Sequence, residues 1–234
     1  TAFNQMQREI HELIERNKEK QRNLRIAEVN ALSLQVNPHF LYNVLDLIKW
    51  SIKLERYEQS VQMIVQLGNL LRMLMNNTGD TVTVAGEMRI VQAYLDIQRF
   101  RWQDRLRVEF DIEQGLETYV IPKLMLQPLI ENAIIHGLED RPEGGSMKIS
   151  GHKDGDYLHF CVEDSGRGMS PEKLDQVRQA VPDGMYHIGL SNLHQRARLF
   201  GDERCGLEIN SILGQGTSSH LTVKAETKER KGNV

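Results

Sequence analysis

The sequence is poor in cysteine and in long apolar runs, and each shortage excludes a class of protein. Its 234 residues include only two cysteines, Cys161 and Cys205. They lie far apart and have no His or Cys neighbours at ligand spacing, which argues against a disulfide framework and against a zinc site. No apolar run approaches the roughly 20 residues of a membrane-spanning helix, and no signal peptide is recognisable. We therefore expect the chain to fold in a reducing, aqueous compartment.

A large excess of charge of one sign is also lacking. The formal net charge is −3, so nothing favours binding to nucleic acid or to an anionic membrane surface. Hydrophobic residues make up 40% of the chain, enough for a core, and the length suits one large or two small domains.

The first third of the chain has the periodicity of a long helix. Apolar residues recur in alternating steps of four and three from Met6 to Leu34, interrupted by Asn17 and Lys20. This spacing is typical of a parallel two-helix coiled coil. The alternative is a single amphipathic helix lying on its own domain, but so long a seam would leave such a helix little to pack on except a twin.

A helical hairpin is predicted next. Pro38 interrupts the first helix and is expected to bend it. The apolar pattern continues over 41–48, breaks near 53–58, and resumes over 61–74. Two such helices from each of two chains would form a four-helix bundle, so we expect a homodimer. The turn residues at 78–80 would end this domain.

From about residue 81 the pattern changes to mixed helices and strands. Helices are predicted near 86–101, 122–136 and 190–200, and strands near 107–112, 147–152, 157–163, 206–210 and 218–223. Pro122 would stand in the first turn of its helix, where proline is tolerated. The stretch between Gly168 and Gly189 is rich in turn formers and predicts a lid. These elements predict one mixed sheet with helices on one face, and hence an α+β chain.

Four sequence clusters contain the residues that are best suited to binding or catalysis. Residues 37–43 read NPHFLYN, 127–137 read QPLIENAIIHG and 163–168 read EDSGRG, while IGLSN at 188–192 pairs with GQGT at 214–217. Asp164 ends an alternating strand, where a carboxylate can accept a hydrogen bond from an adenine amino group. Gly166 and Gly168 would let the backbone approach a nucleotide without a Cβ atom. The alternative for this string is an ordinary strand-to-loop turn.

Two features of the predicted helices are suited to binding a metal ion and phosphate groups. Asn132 and His136 are four residues apart on one predicted helical face, and an amide oxygen is a suitable Mg²⁺ ligand. Residues 189–192 open a helix, whose N-terminal amides suit phosphate groups. The alternatives are a surface amide and a simple capped helix start.

The order of these clusters resembles that of the LytS/YesM-type sensor histidine kinases, whose catalytic domain belongs to the superfamily of gyrase, Hsp90, histidine kinases and MutL. The likeness covers nearly the whole chain. It implies a helical dimerisation domain followed by an α/β sandwich that binds ATP. The expected divisions are a coiled-coil signalling helix at the end of a HAMP-like linker (1–30), a dimerisation and phosphotransfer domain (31–80), an ATP-binding domain (81–226) and a flexible tail (227–234).

The resemblance also implies a reaction and its residues. His39 would be phosphorylated from Mg-ATP and would pass the phosphoryl group to an aspartate of a cognate response regulator. Asn132 would bind the metal. The nucleotide contacts would be Asn132, His136, Asp164, Gly166, Gly168, Gly189, Leu190, Asn192 and Thr217. Such a chain would be the cytoplasmic portion of a bacterial plasma-membrane sensor, attached to the membrane only through an N-terminal sensor region that the sequence does not include.

The sequence departs from the family pattern at two positions. Phe40 stands where many histidine kinases have an acid after the phosphorylated histidine, so Glu131 becomes the candidate base. Asn43 shares a helical face with His39 and is a candidate for orienting water in a phosphatase reaction.

His187 replaces a glycine two residues before Gly189, which favours the alternative of a non-enzymatic pseudokinase scaffold. A second alternative, an ATPase clamp, is disfavoured because Pro128 occupies the place of its catalytic glutamate.

Overall fold

A computed structural model describes residues 38–75, 80–139, 141–183 and 188–227. The chain divides between Lys49 and Trp50 into two compact units. The predicted coiled coil, the bend before Pro38 and the flexible tail lie outside the described residues, as does His187. None of the helices among the described residues is both long and apolar enough to cross a membrane.

Two helices lie where the apolar pattern predicted them. Helix α1 (Pro38–Lys53) carries Phe40, Val44 and Ile48 at steps of four, and all three are buried. After a three-residue break, helix α2 (Tyr57–Met75) buries Met63, Leu67, Leu70 and Leu74 on one face. Helix α2 packs against helix α3 (Val84–Trp102). A different face of α2 leaves Val61, Ile64 and Val65 more than half exposed.

A five-stranded mixed sheet forms the centre of the second unit. In chain order its strands are β2 (Leu106–Ile112), β4 (Gly145–Asp154), β5 (Tyr157–Asp164), β6 (Gly206–Ile212) and β7 (Gly216–Lys224). The spatial order is β2-β4-β5-β7-β6, with β2 parallel to β4 and the other pairs antiparallel. Alternate residues of β5, such as Phe160 and Val162, are buried beneath the helices, which confirms the predicted mixed sheet.

A second, smaller sheet was not predicted. Strands β1 (Thr81–Thr83), β3 (Tyr119–Pro122) and β8 (Glu226–Thr227) pair antiparallel in the order β1-β3-β8. Strands of two to four residues are too short for apolar alternation to reveal them.

The helix predicted over 122–136 begins later than expected, so that prediction was wrong at its start. Pro122 ends β3, where it pairs with Thr81. Helix α4 (Gln127–Asn132) has Pro128 in its first turn instead, and the helix continues as a π-helical segment, Ala133–Leu138. Proline is tolerated in the first turn of a helix, and Pro128, not Pro122, occupies that position here.

The stretch predicted as a turn-rich lid is largely helical. Helix α5 (Pro171–Asp183) buries Leu174 and Val177 and packs against β6 and against helix α6 (Ile188–Phe200). Its few apolar residues gave too weak a periodicity to compete with the surrounding turn formers. Helix α6 ends at Gly201, as predicted, and the Gly201 N–H donates to the Ala197 carbonyl at 3.1 Å.

Candidate nucleotide-binding site

Asp164, the last residue of β5, lies at the end of the central strand of the five-stranded sheet, beside the π-helical segment. Its Oδ1 accepts a hydrogen bond from the Gly166 N–H at 2.8 Å, and the Thr217 backbone also donates to the side chain. The residue is partly buried, and burial raises the pKa of its carboxyl above the ordinary value, while the two backbone donors oppose that rise. The side chain therefore remains a partly accessible acceptor at the edge of the core.

Three glycines make room for this carboxylate. A Cβ atom on Gly137 would lie 2.6 Å from Asp164 Oδ1, and one on Gly166 would lie 2.3 Å from the Gly137 carbonyl oxygen. A Cβ on Gly216 would lie 1.8 Å from the Asp164 carbonyl oxygen. The Arg167 N–H also donates to Gly137 O at 3.0 Å. The end of β5, the π-helical segment and the start of β7 thus converge with no space for side chains between them.

The glycines of the EDSGRG string serve the protein's own packing. Besides the contact of Gly166 with Gly137, Gly168 has a φ of 63°, and a Cβ there would lie 1.9 Å from the Ile212 carbonyl oxygen. Both glycines are buried. From the sequence, these glycines are expected to allow close approach of a nucleotide, with an ordinary strand-to-loop turn as the alternative. The close backbone contacts already require glycine at both positions.

Helix α4 and its π-helical extension carry the predicted metal and phosphate residues. Asn132 ends α4 and is partly buried, and His136 is exposed within the extension. The His136 carbonyl accepts from Arg167 Nε at 2.9 Å, which ties the extension to the loop after Asp164. A π-helix closes i→i+5 hydrogen bonds, so the two side chains do not stand in the simple four-residue relation that an α-helix predicts.

Glu131 precedes Asn132 and is partly buried. Burial raises the pKa of Tyr94 on α3, and the negative charge of Glu131 adds to that rise. Glu131 therefore lies within electrostatic range of a buried phenol of α3, an environment that the sequence did not indicate.

Helix α6 contacts both α4 and β7. Leu190 is buried, while Gly189 and Asn192 are exposed. Ser191, which the sequence reading passed over, is 1% exposed, and its Oγ has no hydrogen-bond partner among the described residues. Backbone amides in the first turn of a helix suit phosphate groups, and Gly189 is exposed in that turn.

Ser211 organises the other side of the site and was also missed. Its Oγ accepts from the Met169 N–H at 2.9 Å, donates to the Gly216 carbonyl at 2.9 Å, and lies 2.9 Å from Thr217 Oγ1. It joins the loop after Asp164 to the β6–β7 turn and fixes Thr217, which the sequence did select. A serine on a strand carries no signal of such a role.

The first unit contains the remaining predicted residues. His39 is the second residue of α1, and Asn43 lies four residues further along the same helix and is partly buried.

Comparison with known proteins agrees with this arrangement. The histidine kinase family model matches residues 27–106, and the model of histidine kinase-, DNA gyrase B- and HSP90-like ATPases matches residues 119–227. Sensor histidine kinase YesM of Bacillus subtilis (strain 168) is 39% identical over 221 residues, covering 94% of this chain and 37% of YesM. The uncharacterised protein YwpD of the same strain is 36% identical over 206 residues, covering 86% of this chain and 71% of YwpD.

Among solved structures, the histidine kinase domain of the Erythrobacter litoralis EL346 blue-light activated histidine kinase aligns with 20% identity and a TM-score of 0.47. The alignment covers 83% of this chain and 91% of that chain.

The two family matches define a protein that joins a helical histidine kinase region to an ATP-binding domain of the gyrase and Hsp90 type. The chain belongs to the sensor histidine kinase family. It spans about two fifths of the length of curated relatives such as YesM, of which it covers 37%.

The close approach of Gly168 to the Ile212 carbonyl yields a prediction about the stability of the fold. Gly168→Ala should destabilise the fold more than Gly155→Ala, because both glycines have left-handed φ values, 63° and 53°, but only Gly168 faces a backbone oxygen. The left-handed conformation costs about 1–2 kcal/mol in each variant, and the clash adds about 1–3 kcal/mol in Gly168→Ala. Urea unfolding of both variants measures the difference. Equal losses would show that the close approach does not constrain the fold.

Proposed function

We propose that this chain is the catalytic portion of a sensor histidine kinase that transfers the γ-phosphoryl group of ATP to His39 and then to an aspartate of a response regulator. The observation that carries the proposal is the partly buried Asp164 carboxylate at the convergence of Gly137, Gly166 and Thr217. An acceptor of this kind suits an adenine amino group. The first turn of α6, in which Gly189 is exposed, suits the phosphates.

In the proposed reaction the protein mainly positions the reactants. Asp164 accepts from adenine, with Thr217 beside it. Asn132 would supply an amide oxygen to Mg²⁺, which would offset the charge of the phosphates, and the exposed His136 lies in the π-helical extension beyond it. Gly189, Leu190 and Asn192 place backbone amides at the start of α6. A neutral ring nitrogen of His39 would attack the γ-phosphorus, and the new N–P bond would form as the bond to the β,γ-bridging oxygen breaks and ADP leaves.

Two other functions fit parts of the chain less well. An ATPase clamp needs a base four residues before Asn132, and Pro128 in the first turn of α4 has no group that accepts a proton. A pseudokinase scaffold is favoured only by His187, and it gives no purpose to the built environment of Asp164. Incubation with radiolabelled ATP distinguishes the three functions. A clamp hydrolyses ATP without labelling the protein, and a scaffold neither hydrolyses ATP nor becomes labelled.

His39→Ala should abolish autophosphorylation, because the variant lacks the accepting nitrogen. ATP binding should remain within about twofold of the wild type, because His39 lies in the other compact unit from Asp164. Radiolabelled ATP measures the first quantity and calorimetry the second. Normal labelling of the alanine variant would remove His39 from the mechanism.

Asp164→Ala should weaken ATP binding about ten- to a hundredfold, because a charge-assisted hydrogen bond contributes roughly 1.5–3 kcal/mol. The wild type should also lose affinity on acidification. Only the ionised carboxylate is a full acceptor, and burial raises its pKa, so the loss begins at a pH above that of an ordinary aspartate.

Calorimetry across a pH series measures both effects of Asp164, and the exposed Asp104 supplies the control variant Asp104→Ala. That control removes an equal charge and should bind like the wild type. If Asp164→Ala binds ATP as tightly as Asp104→Ala, Asp164 does not contact the nucleotide.

We further propose Glu131 as the base that takes the proton from His39, since Phe40 stands where an acid would otherwise serve. The alternative is that Glu131 only caps its own helix or pairs within it. Glu131→Gln keeps the shape but removes the basicity, so ATP binding should persist while autophosphorylation slows at least about a hundredfold. Single-turnover labelling measures the rate, with the exposed Glu139→Gln as control. A rate within a few-fold of that control would assign the proton to water or phosphate.

The proposed function includes a homodimer through residues 5–77. In support, Val61, Ile64 and Val65 are 59%, 53% and 55% exposed in the single chain, and they form an apolar face on α2. Sedimentation equilibrium should give twice the 26.9 kDa mass for the wild type. Ile64→Glu should shift the equilibrium toward monomer, whereas Gln62→Glu, which adds the same charge at another exposed position, should not. A 26.9 kDa species at high micromolar concentration would contradict the dimer.

A further inference from the structure

Glu87, in the first turn of α3, is a charged residue with no exposed surface. Its two carboxylate oxygens accept hydrogen bonds from backbone N–H groups 37 and 39 residues away: Oε2 from Leu124 and Oε1 from Leu126, each at 2.9 Å. A carboxylate is buried at a high cost unless its lone pairs are satisfied, so these bonds tie α3 firmly to the segment 123–126.

The segment 123–126 connects β3 to α4 in an unfavourable conformation. Leu124 has a φ of 54°, which a branched side chain seldom adopts. Leu126 is the N-cap residue of α4, and no side chain of the usual capping kind bonds the first turn of that helix. Glu87 thus supplies from another helix the acceptors and the negative charge that normally stabilise a helix N-terminus.

The same segment is held from the opposite side by α6. The guanidinium of Arg196, in the second half of α6, donates a hydrogen bond to the Lys123 carbonyl. Arg196 is partly buried, and its charge attracts that of Glu87. One four-residue segment is therefore bonded both to α3 and to the helix whose first turn carries Gly189 and Ser191.

We propose that Glu87 is a positioning residue of the nucleotide site, which acts with Arg196 to hold the segment 123–126 so that α4 presents Asn132 to the metal–phosphate group. The inference rests on the proposed function, because it assigns to Glu87 the support of a metal-binding helix. Glu87 itself does not touch the nucleotide. Residues that orient a metal ligand from behind affect metal affinity selectively, and that selectivity separates positioning from a purely structural role.

The test compares binding of the non-hydrolysable analogue AMP-PNP in Mg²⁺ and in EDTA, using the whole 234-residue protein. Glu87→Gln keeps the side-chain length but removes the charge and one acceptor. We expect the enhancement of affinity by Mg²⁺ to fall at least about tenfold, while affinity in EDTA changes less than about threefold. Arg196→Met should act in the same direction and keeps the test decisive if Glu87→Gln fails to fold. The double variant should be less than additive, because both residues hold one segment.

The matched control is Gln98→Met, which removes the buried hydrogen bond from Gln98 to Tyr94 on the same helix without touching the segment 123–126. It should lower the melting temperature yet leave the Mg²⁺ enhancement at the wild-type value. If Glu87→Gln and Arg196→Met melt earlier with an unchanged Mg²⁺ enhancement, both residues are only structural and the inference is overturned. A wild type that binds no AMP-PNP, or binds it equally with and without Mg²⁺, would instead overturn the proposed function together with the inference.

Discussion

The fold depends on a place where three segments meet so closely that three positions have room only for glycine. Strand β5 ends at Asp164, and Gly137, Gly166 and Gly216 each lie where a Cβ atom would come within 2.6 Å of a neighbouring oxygen. These close contacts fix the π-helical extension against the end of β5 and leave the Asp164 carboxylate partly accessible. Because atoms there have no room to shift, the geometry of the site follows from the packing of the core.

The same constraint explains why the site is assembled from distant parts of the chain. Arg167 donates a hydrogen bond to the His136 carbonyl in the π-helical extension. Ser211 links the loop after Asp164 to the β6–β7 turn. Glu87 accepts a hydrogen bond from the Leu126 N–H at the start of α4. The residues of the proposed nucleotide site are held by hydrogen bonds between elements, so binding need not order them.

Much of this could be predicted from the sequence where the signal is local. The apolar periodicity of α2 and the alternation in β5 located both elements, and the order of the four clusters indicated the family. The rest depends on contacts between remote residues. Pro122 gave the wrong helix start because β3 exists only by pairing with Thr81, and α5 has too few apolar residues to stand out among turn formers. The roles of Glu87 and Ser211 are visible only once the backbone they bond is in place.

The central claim is that the protein stores the phosphoryl group of ATP on a histidine. The most direct measurement incubates the wild-type protein with γ-labelled ATP and follows the stability of the protein-bound label in acid and in alkali. The account predicts a label that is lost in acid, survives in alkali, and maps to the peptide that contains residues 37–43. An acid-stable label, or release of phosphate with no label on the protein, would contradict it.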